Sequence, residues 1–374
     1  MHFRPLRCLV PIATAGFALS VGVSAQAPQP ASDREPWVLA RLAEDARVSL
    51  GVPGLSVAVT NGDNIVFAQG FGNADIEQGV PVRPDTVFRI ASISKPITAT
   101  AVMQLVERGL VSLDDPIQRY VPYFPRKLQG EIRIRHLLNH TSGIRHYRGA
   151  EFSLAIPFPT LERAIAVFKD DPLEFPPGER YLYSTYGYTL LAGVIERASG
   201  RTFDDYLRTN VLGPAGMTST WLEYPQEIVK SRARQYVRGA AALSLLNAPY
   251  VNLSVKWAGG GLISTASDIA RFDIALGQGR LLRPDTMERM YEPGRLSSGR
   301  ATGYGLGWMV RQANGRLLVA HSGGAMGGTT YFVRDPKARV ACVILANLDV
   351  VPRLDQLAVQ LMALAPGPLP VSTR

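Results

Sequence analysis

Cysteine is almost absent from the 374-residue chain, which contains only Cys8 and Cys342. Cys8 falls within a predicted leader, so the rest of the chain holds one cysteine and no partner for an intramolecular disulfide. Cys342 lies in the apolar run 340–345, where we expect a small buried side chain on a strand rather than a reactive thiol. Stability must therefore come from a core, for which a 46% hydrophobic content is sufficient.

Internal repeats and low-complexity tracts are also absent, which argues against solenoids and propellers. The glycines at 259–261 are not followed by a lysine and lack the strand–helix setting of a phosphate-binding loop. The net charge is +9, but the arginines are scattered and the densest stretch, 232–238, is short. No nucleic-acid-binding motif accompanies it, so we expect no nucleic acid partner. A basic surface is instead consistent with export to an anionic cell envelope.

Long hydrophobic runs are confined to the N-terminus, and no other segment approaches transmembrane length. Residues 1–25 contain two early arginines, an apolar stretch at 9–23 and small residues before Gln26, a pattern that predicts a signal peptide. A retained membrane anchor is the alternative, which the short stretch and Pro11 disfavour. We therefore expect an exported protein, periplasmic or secreted, in which the Pro-, Ala- and Ser-rich residues 26–35 form a flexible linker.

Beyond residue 35, strand signals cluster near the two ends and a mainly helical segment lies between them, a pattern that predicts an α+β fold. The predicted strands are 55–60, 65–69, 305–310, 316–321, 330–333 and 339–346, with terminal helices at 37–50 and 352–364. We predict one domain, 36–366, with a central antiparallel sheet flanked by helices. The sheet subdomain comprises 36–90 and 255–366, and a helical subdomain comprises 91–254.

The sharpest local signal is Ser92 followed by Lys95 at the start of an apolar helical run, 97–106. Four residues make about one helical turn, so the two side chains lie on one face. A serine hydroxyl is a poor nucleophile until a base takes its proton, and a lysine with a pKa lowered by burial can be that base. A helix N-cap followed by a surface lysine fits the pattern too. Ser94 is a rival nucleophile, but Ile97 occupies the position where its lysine would be needed.

Two further elements carry candidate groups. Tyr183 lies between a Pro-Pro-Gly turn and a predicted helix, 186–199, and its phenol could relay a proton to a leaving group if it lies near Lys95. The run His-Ser-Gly-Gly at 321–324 follows a predicted strand directly. Glycines there allow a substrate backbone to approach, and backbone N–H groups there could complete an oxyanion hole with that of Ser92.

In order and spacing these residues resemble the Ser-x-x-Lys, Tyr-x-Asn and Lys-Thr-Gly motifs of the serine β-lactamases and penicillin-binding proteins. The class C β-lactamases and the D-peptidases are most similar in spacing, over nearly the whole chain after the leader. A branch found in animal mitochondria, the serine β-lactamase-like proteases, is more similar still. The runs that carry the resemblance are 136–143, 177–178, 260–265, 142–147, 182–185, 187–191 and 256–261.

The resemblance implies a transpeptidase-like fold and an enzyme, a serine hydrolase that forms an acyl-enzyme on Ser92. Lys95 and Tyr183 would be its activating partners, and which of them is the main base stays open. The implied substrate-binding residues are Thr185, His321, Ser322, Gly323 and Gly324. No cofactor is expected. The mitochondrial branch is a group of peptidases that self-associate, so self-association is a further expectation.

Two departures from the family motifs bear on the substrate. Thr185 replaces the asparagine of Tyr-x-Asn, whose amide helps to hold an acylamide side chain, and His321 replaces the lysine of Lys-Thr-Gly. We therefore expect hydrolysis of a peptide or other acyl substrate, such as a cell-wall peptide, with weak turnover of β-lactams. We also expect His321 to titrate near neutrality, unlike the lysine it replaces. An esterase is the nearest alternative, and a catalytically silent scaffold that binds peptidoglycan or self-assembles is an alternative of another class.

The remaining candidates are weaker. His136 and His140 are four residues apart and could face one metal ion, but the sequence between them lacks the glutamate of a zinc hydrolase motif, and we predict no metal site. Asp114 and Asp115 fit a solvated turn rather than a catalytic pair.

Overall fold

The computed structural model describes residues 36–240, 244–313 and 315–365. The predicted signal peptide and linker, 1–35, lie outside the described residues. Within the described part, no helix combines the length and the apolar character needed to cross a bilayer.

A seven-stranded antiparallel sheet is the central element. The described strands are β1 (Gly54–Asn61), β2 (Asn64–Asp75), β3 (Val80–Pro81), β4 (Phe88–Arg89), β5 (Trp221–Leu222), β6 (Tyr236–Arg238), β7 (Leu245–Asn247), β8 (Leu262–Ser264), β9 (Met309–Ala313), β10 (Arg316–Ala325), β11 (Gly328–Asp335) and β12 (Val340–Ala346). The order in the large sheet is β3-β2-β1-β12-β11-β10-β9. Its centre is formed by strands from the two ends of the sequence, because β1 pairs with β12 and Val57 lies opposite Ile344.

Helices surround this sheet and fill the segment inserted between its two halves. The described α-helices are α1 (Pro36–Ser49), α2 (Ser94–Glu107), α3 (Ile134–Leu138), α4 (Leu161–Ile165), α5 (Thr185–Ser199), α6 (Phe203–Leu207), α7 (Gly213–Ala215), α8 (Trp257–Gly260), α9 (Ala266–Gly277), α10 (Pro284–Tyr291) and α11 (Leu354–Ala363). The mixed architecture confirms the predicted α+β fold class with a large antiparallel sheet.

Strand β12 shows how the sheet divides the core into two layers. Cys342 and Ile344 point to the side covered by α1 and α11, whereas Val343 and Leu345 point to the side covered by α9. This is the two-residue alternation of a strand buried on both faces. Cys342 is fully buried and burial raises the pKa of its thiol, which confirms the expectation of a small apolar side chain on a strand.

Three local predictions differ from the structure. Strand β9 begins at Met309 rather than at 305, because Gly307 has a φ of 91° and a turn joins the Gly305 N–H to the Trp308 carbonyl. Strand β10 continues to Ala325, so the run 321–324 lies within the strand rather than after it. The segment 91–254, predicted as mainly helical, also contains the short strands β5, β6 and β7, which were not among the predicted strands.

Candidate active site

Ser92 lies in a 3-10 turn, Ala91–Ile93, that leads directly into α2. Ala91 has a φ of 48°, a conformation that costs a non-glycine residue on the order of 1 kcal/mol and that its surroundings must hold. Ser94 supplies support, because its Oγ donates to the Ala91 carbonyl at 2.6 Å and accepts from the Leu262 N–H at 3.3 Å. Ser94 is fully buried in this contact, whereas Ser92 is partly exposed. Of the two serines, Ser92 is therefore the one available to a ligand.

Lys95 is completely buried and faces Ser92 across the first turn of α2. Its Nζ lies 3.1 Å from Ser92 Oγ, 3.2 Å from Thr185 Oγ1 and 2.5 Å from the carbonyl oxygen of Gly259. Burial, and to a lesser degree the charge of Lys256, lowers the pKa of Lys95 well below that of an exposed lysine. Such an environment favours the neutral amine, which is the form that can accept a proton from a serine hydroxyl.

Tyr183 covers the lysine, with its ring centroid 4.7 Å from Lys95 Nζ. Burial raises the pKa of the Tyr183 phenol above its ordinary value, and a hydrogen bond with Ser92 opposes part of this shift. The phenol therefore remains protonated at neutral pH, which suits a proton donor. His140 packs against the Tyr183 ring, with 4.3 Å between the ring centroids, and its Nδ1 accepts a hydrogen bond from the Ser184 N–H at 3.2 Å.

Thr185 is the first residue of α5 and is buried between Lys95 and His146. Its Oγ1 accepts from Lys95 Nζ, and its N–H donates to His146 Nδ1 at 3.3 Å. Gly259 packs so closely that an added Cβ would lie 2.5 Å from Thr185 Cγ2. The hydroxyl predicted to bind substrate thus also holds the amine of Lys95, although Thr185 still lines the cavity beside Ser92.

Strand β10 borders the same cavity, which has a volume of about 50 Å³. His321 and Gly323 are buried while Ser322 and Gly324 are exposed, the alternation expected of a strand. Gly324 lines the cavity together with Ser92, so the structure brings this part of the predicted substrate-binding run to the nucleophile candidate.

His321 points away from solvent, with an exposure of 1%. Its Nδ1 lies 2.7 Å from the Ser322 carbonyl, which can only accept, so Nδ1 carries the proton and Nε2 accepts from the Tyr304 hydroxyl at 2.8 Å. Burial, followed by the charge of Lys95, lowers the pKa of His321 to about 3. The expectation that His321 titrates near neutrality is therefore wrong. Its ring supports the site from within the protein and is not placed to dock a substrate carboxylate as a cation.

Acid should destabilise the protein through this histidine. Because the folded pKa of His321 lies near 3 and an unfolded histidine titrates near pH 6.5, the unfolded chain binds more protons between these values. The free energy of unfolding should then fall by about 1.4 kcal/mol per pH unit for this group as pH drops below 6. Urea titrations at several pH values from 6.5 to 5 should show a shallower slope of the free energy of unfolding against pH for His321→Gln than for wild type. Equal slopes would contradict the buried neutral histidine.

The close approach of β10 to the Ser92 turn requires glycine at 323. An added Cβ would lie 2.2 Å from Thr330 Oγ1, 2.8 Å from the Ile90 carbonyl oxygen and 3.0 Å from Ala91 Cβ. Gly323→Ala should therefore lower the free energy of unfolding by about 1–3 kcal/mol and displace β10 from Ser92. Gly324→Ala is the matched control for stability, since a Cβ there meets no atom within 4 Å. Similar thermal shifts in the two variants would contradict this packing.

Three side chains at the site were not anticipated from the sequence: Lys256, Tyr304 and His146. Lys256 lines the cavity with Ser92, as does His146, and Tyr304 holds His321. A signal for Lys256 existed, because lysine is rare in this chain and this one lies between Val255 and Trp257. Its significance becomes visible only from the cavity that it lines.

The histidines considered as metal ligands have other contacts. His136 Nδ1 accepts the Arg133 N–H at 3.2 Å, and His140 packs against Tyr183. Across residues 36–240, 244–313 and 315–365, no group of three or more potential metal-ligating side chains comes together.

Comparison with known proteins identifies the family of the chain. Residues 39–366 match the family model described as Beta-lactamase. The chain is 32% identical to the mitochondrial serine beta-lactamase-like protein LACTB of Homo sapiens, over 84% of this chain and 75% of that protein. The chain therefore belongs to the beta-lactamase family, whose members are serine hydrolases.

Solved structures of related proteins share the fold of this chain. The octameric penicillin-binding protein homologue from Pyrococcus abyssi superimposes with a TM-score of 0.76 at 29% identity, covering 88% of this chain and 76% of that one. The D-amino acid amidase from Ochrobactrum anthropi SV3 superimposes with a TM-score of 0.72 at 27% identity, covering 83% and 91%.

Proposed function

We propose that the protein is an exported serine peptidase or amide hydrolase that acts through an acyl-enzyme on Ser92. The observation that carries the proposal is the 3.1 Å contact between Ser92 Oγ and the fully buried Nζ of Lys95. Export rests on the sequence of residues 1–25 alone.

The geometry supports a two-step acyl transfer. Neutral Lys95 takes the proton of Ser92 as Oγ attacks the substrate carbonyl, and the carbonyl oxygen becomes an oxyanion. The C–N bond then breaks as the leaving nitrogen receives a proton, delivered from Lys95 or through Tyr183. Water then enters, loses a proton to the same base and attacks the ester carbonyl. The C–Oγ bond breaks as the base returns that proton to Ser92 Oγ, which releases the acid and regenerates Ser92.

The oxyanion needs donors on the side of the carbonyl opposite the base. The N–H of Ser92, in the turn that leads into α2, is one candidate, and the backbone of β10 at Gly324 lines the same cavity. The positive end of the α2 dipole also favours negative charge at this position.

Amide bonds are the favoured substrates for two reasons. Thr185 offers a hydroxyl in place of an amide, and this hydroxyl already accepts a hydrogen bond from Lys95. It is therefore less able to bind an acylamide side chain in the way that the asparagine of a β-lactamase does. Among the structural relatives, the Ochrobactrum protein is a D-amino acid amidase. Esters and β-lactams are chemically accessible to the same nucleophile, and we expect slow turnover of the latter.

Steady-state kinetics with D-amino-acid amides, L-peptides, aryl esters and nitrocefin test the substrate class. We expect kcat/KM for the best amide or peptide to exceed that for nitrocefin. A cephalosporin preferred over every peptide would overturn this choice, and turnover of esters alone would identify an esterase. A catalytically silent scaffold would hydrolyse none of them.

Self-association is the further part of the proposal. Its support is the octameric state of the Pyrococcus homologue, which shares the fold. Mass photometry of the purified chain at nanomolar concentration tests it, and a monomer under these conditions would count against a stable assembly.

A further inference from the structure

Lys256 is a buried cation whose charge the protein balances poorly. It ends the 3-10 turn Leu253–Lys256, is 6% exposed, and donates from Nζ to the Phe152 carbonyl at 2.7 Å. In the described parts of the chain, no carboxylate forms an ion pair with this ammonium. Because an ammonium has three N–H donors, the Phe152 carbonyl satisfies only one of them.

Aromatic rings provide partial compensation. Nζ lies 4.9 Å from the Tyr147 ring centroid and 4.7 Å from that of Phe152. Cation–π contacts of this kind orient an ammonium but do not neutralise it, and buried charges in proteins are normally paired. Burial, followed by the charge of Arg89, lowers the pKa of Lys256 to about 8, so the amine is mainly protonated at neutral pH.

The position of Lys256 makes this charge relevant to catalysis. It lines the same cavity as Ser92, Thr185 and Gly324. Among the described residues, the lining contains no arginine or carboxylate, and burial lowers the pKa of the lining His146 to about 4, so that ring is uncharged at neutral pH. Lys256 is thus the charged side chain that a group in this cavity would meet.

We propose that Lys256 is a specificity-determining residue that selects substrates with a small anionic group, a carboxylate, on the part that occupies the cavity beside Ser92. The inference rests on the proposed hydrolase function and names its substrate class. The cavity volume of about 50 Å³ leaves room for a group the size of a carboxylate. The neutral His321 does not compete for such a group, which leaves Lys256 as its partner.

Pairs of compounds that differ only in a carboxylate or a carboxamide test the proposal. Glutamate and glutamine 4-nitroanilides place the difference on the acyl side, and alanyl-glutamate and alanyl-glutamine amides place it on the leaving side, each in D and L forms. The readout is the ratio of kcat/KM for the acidic compound to that for the neutral one. For compounds that are not turned over, protection of Ser92 from a neutral fluorophosphonate gives the corresponding ratio of dissociation constants.

We expect wild type to favour the acidic compound about tenfold on one of the two sides, as a charge-assisted hydrogen bond in a buried site would produce. Lys256→Met should bring that ratio close to one, Lys256→Arg should retain a preference, and Lys230→Met, which removes an exposed lysine, should leave the ratio as in wild type. A merely structural role, or an effect on the pKa of Lys95, would change both members of a pair alike and leave the ratio unchanged.

Two results would overturn the proposal while leaving the Ser92 chemistry intact: a wild-type ratio near one on both sides, or a preference that survives in Lys256→Met. If Ser92 reacts with no fluorophosphonate and nothing is hydrolysed, the proposed hydrolase function itself fails, and this inference with it. Because wild type alone can give the first result, the test does not depend on the folding of Lys256→Met.

Discussion

Ser92→Ala should lose hydrolysis of every substrate by about 10⁴-fold or more and should not react with fluorophosphonates, while it folds like wild type. The reason is that the substitution removes the attacking oxygen but little of the packing, since Ser92 is partly exposed at the edge of a cavity. Intact-protein mass spectrometry after labelling measures the first effect, and denaturant unfolding measures the second. We expect a change in the free energy of unfolding within about 1 kcal/mol.

Ser94→Ala is the matched control, because it should have the opposite effects. It removes the buried hydroxyl that donates to the Ala91 carbonyl and accepts from the Leu262 N–H, so both side-chain hydrogen bonds are lost. A loss of about 1–3 kcal/mol in stability is expected, with labelling retained on the folded fraction. A folded Ser94→Ala that no longer labels, beside a Ser92→Ala that does, would assign the nucleophile to Ser94.

Local patterns in the sequence predicted the parts of the fold that depend on neighbours in the chain. The predicted strands 55–60 and 65–69 form as the paired strands β1 and β2, and the spacing of Ser92 and Lys95 places their side chains in contact on one helical turn. Such features follow from strand alternation and helical periodicity, which operate over a few residues.

The environment of each site residue was not predictable in the same way. From the sequence, His321 was expected to titrate as an ordinary histidine, but its pKa is lowered by burial and by Lys95, which is distant in sequence. The Ser322 carbonyl determines which ring nitrogen carries the proton. The hydrogen bond of Lys256 Nζ likewise involves a residue distant in sequence, because its acceptor is the Phe152 carbonyl, 104 positions earlier. Burial and distant charge decide the protonation of a group, and both arise only when the helical segment folds against the sheet.

The extent of β10 has a similar cause. The predicted strand, 316–321, stopped before the glycines at 323 and 324, and glycine is generally unfavourable within strands. The close packing of Gly323 against Thr330 and Ile90 explains why glycine is needed inside this strand. A position that is unfavourable for local structure is here required by a contact between β10 and the Ser92 turn.

Lys95→Met should lower kcat/KM by about 10³-fold or more, and by more than Tyr183→Phe does. Burial lowers the pKa of Lys95 and raises that of Tyr183, so at neutral pH the amine is the better base and the phenol the better acid. Comparison of kcat/KM for the two variants on one amide substrate measures the difference. A larger loss in Tyr183→Phe would assign the role of main base to a tyrosinate instead.

Stability provides an independent measure of the same lysine. Because the folded pKa of Lys95 is lowered from 10.5, the unfolded chain binds an additional proton at pH values between the folded and unfolded pKa. The free energy of unfolding of wild type should therefore rise relative to that of Lys95→Met, by about 1.4 kcal/mol per pH unit, as pH increases through this window toward 10. Lys256 has a lowered pKa in both proteins, so its contribution largely cancels in the difference. Urea titrations of both proteins at several pH values from 7 to 9.5 would measure this difference in the free energy of unfolding. A difference that does not change with pH would mean that Lys95 stays protonated in the folded protein and cannot act as the base.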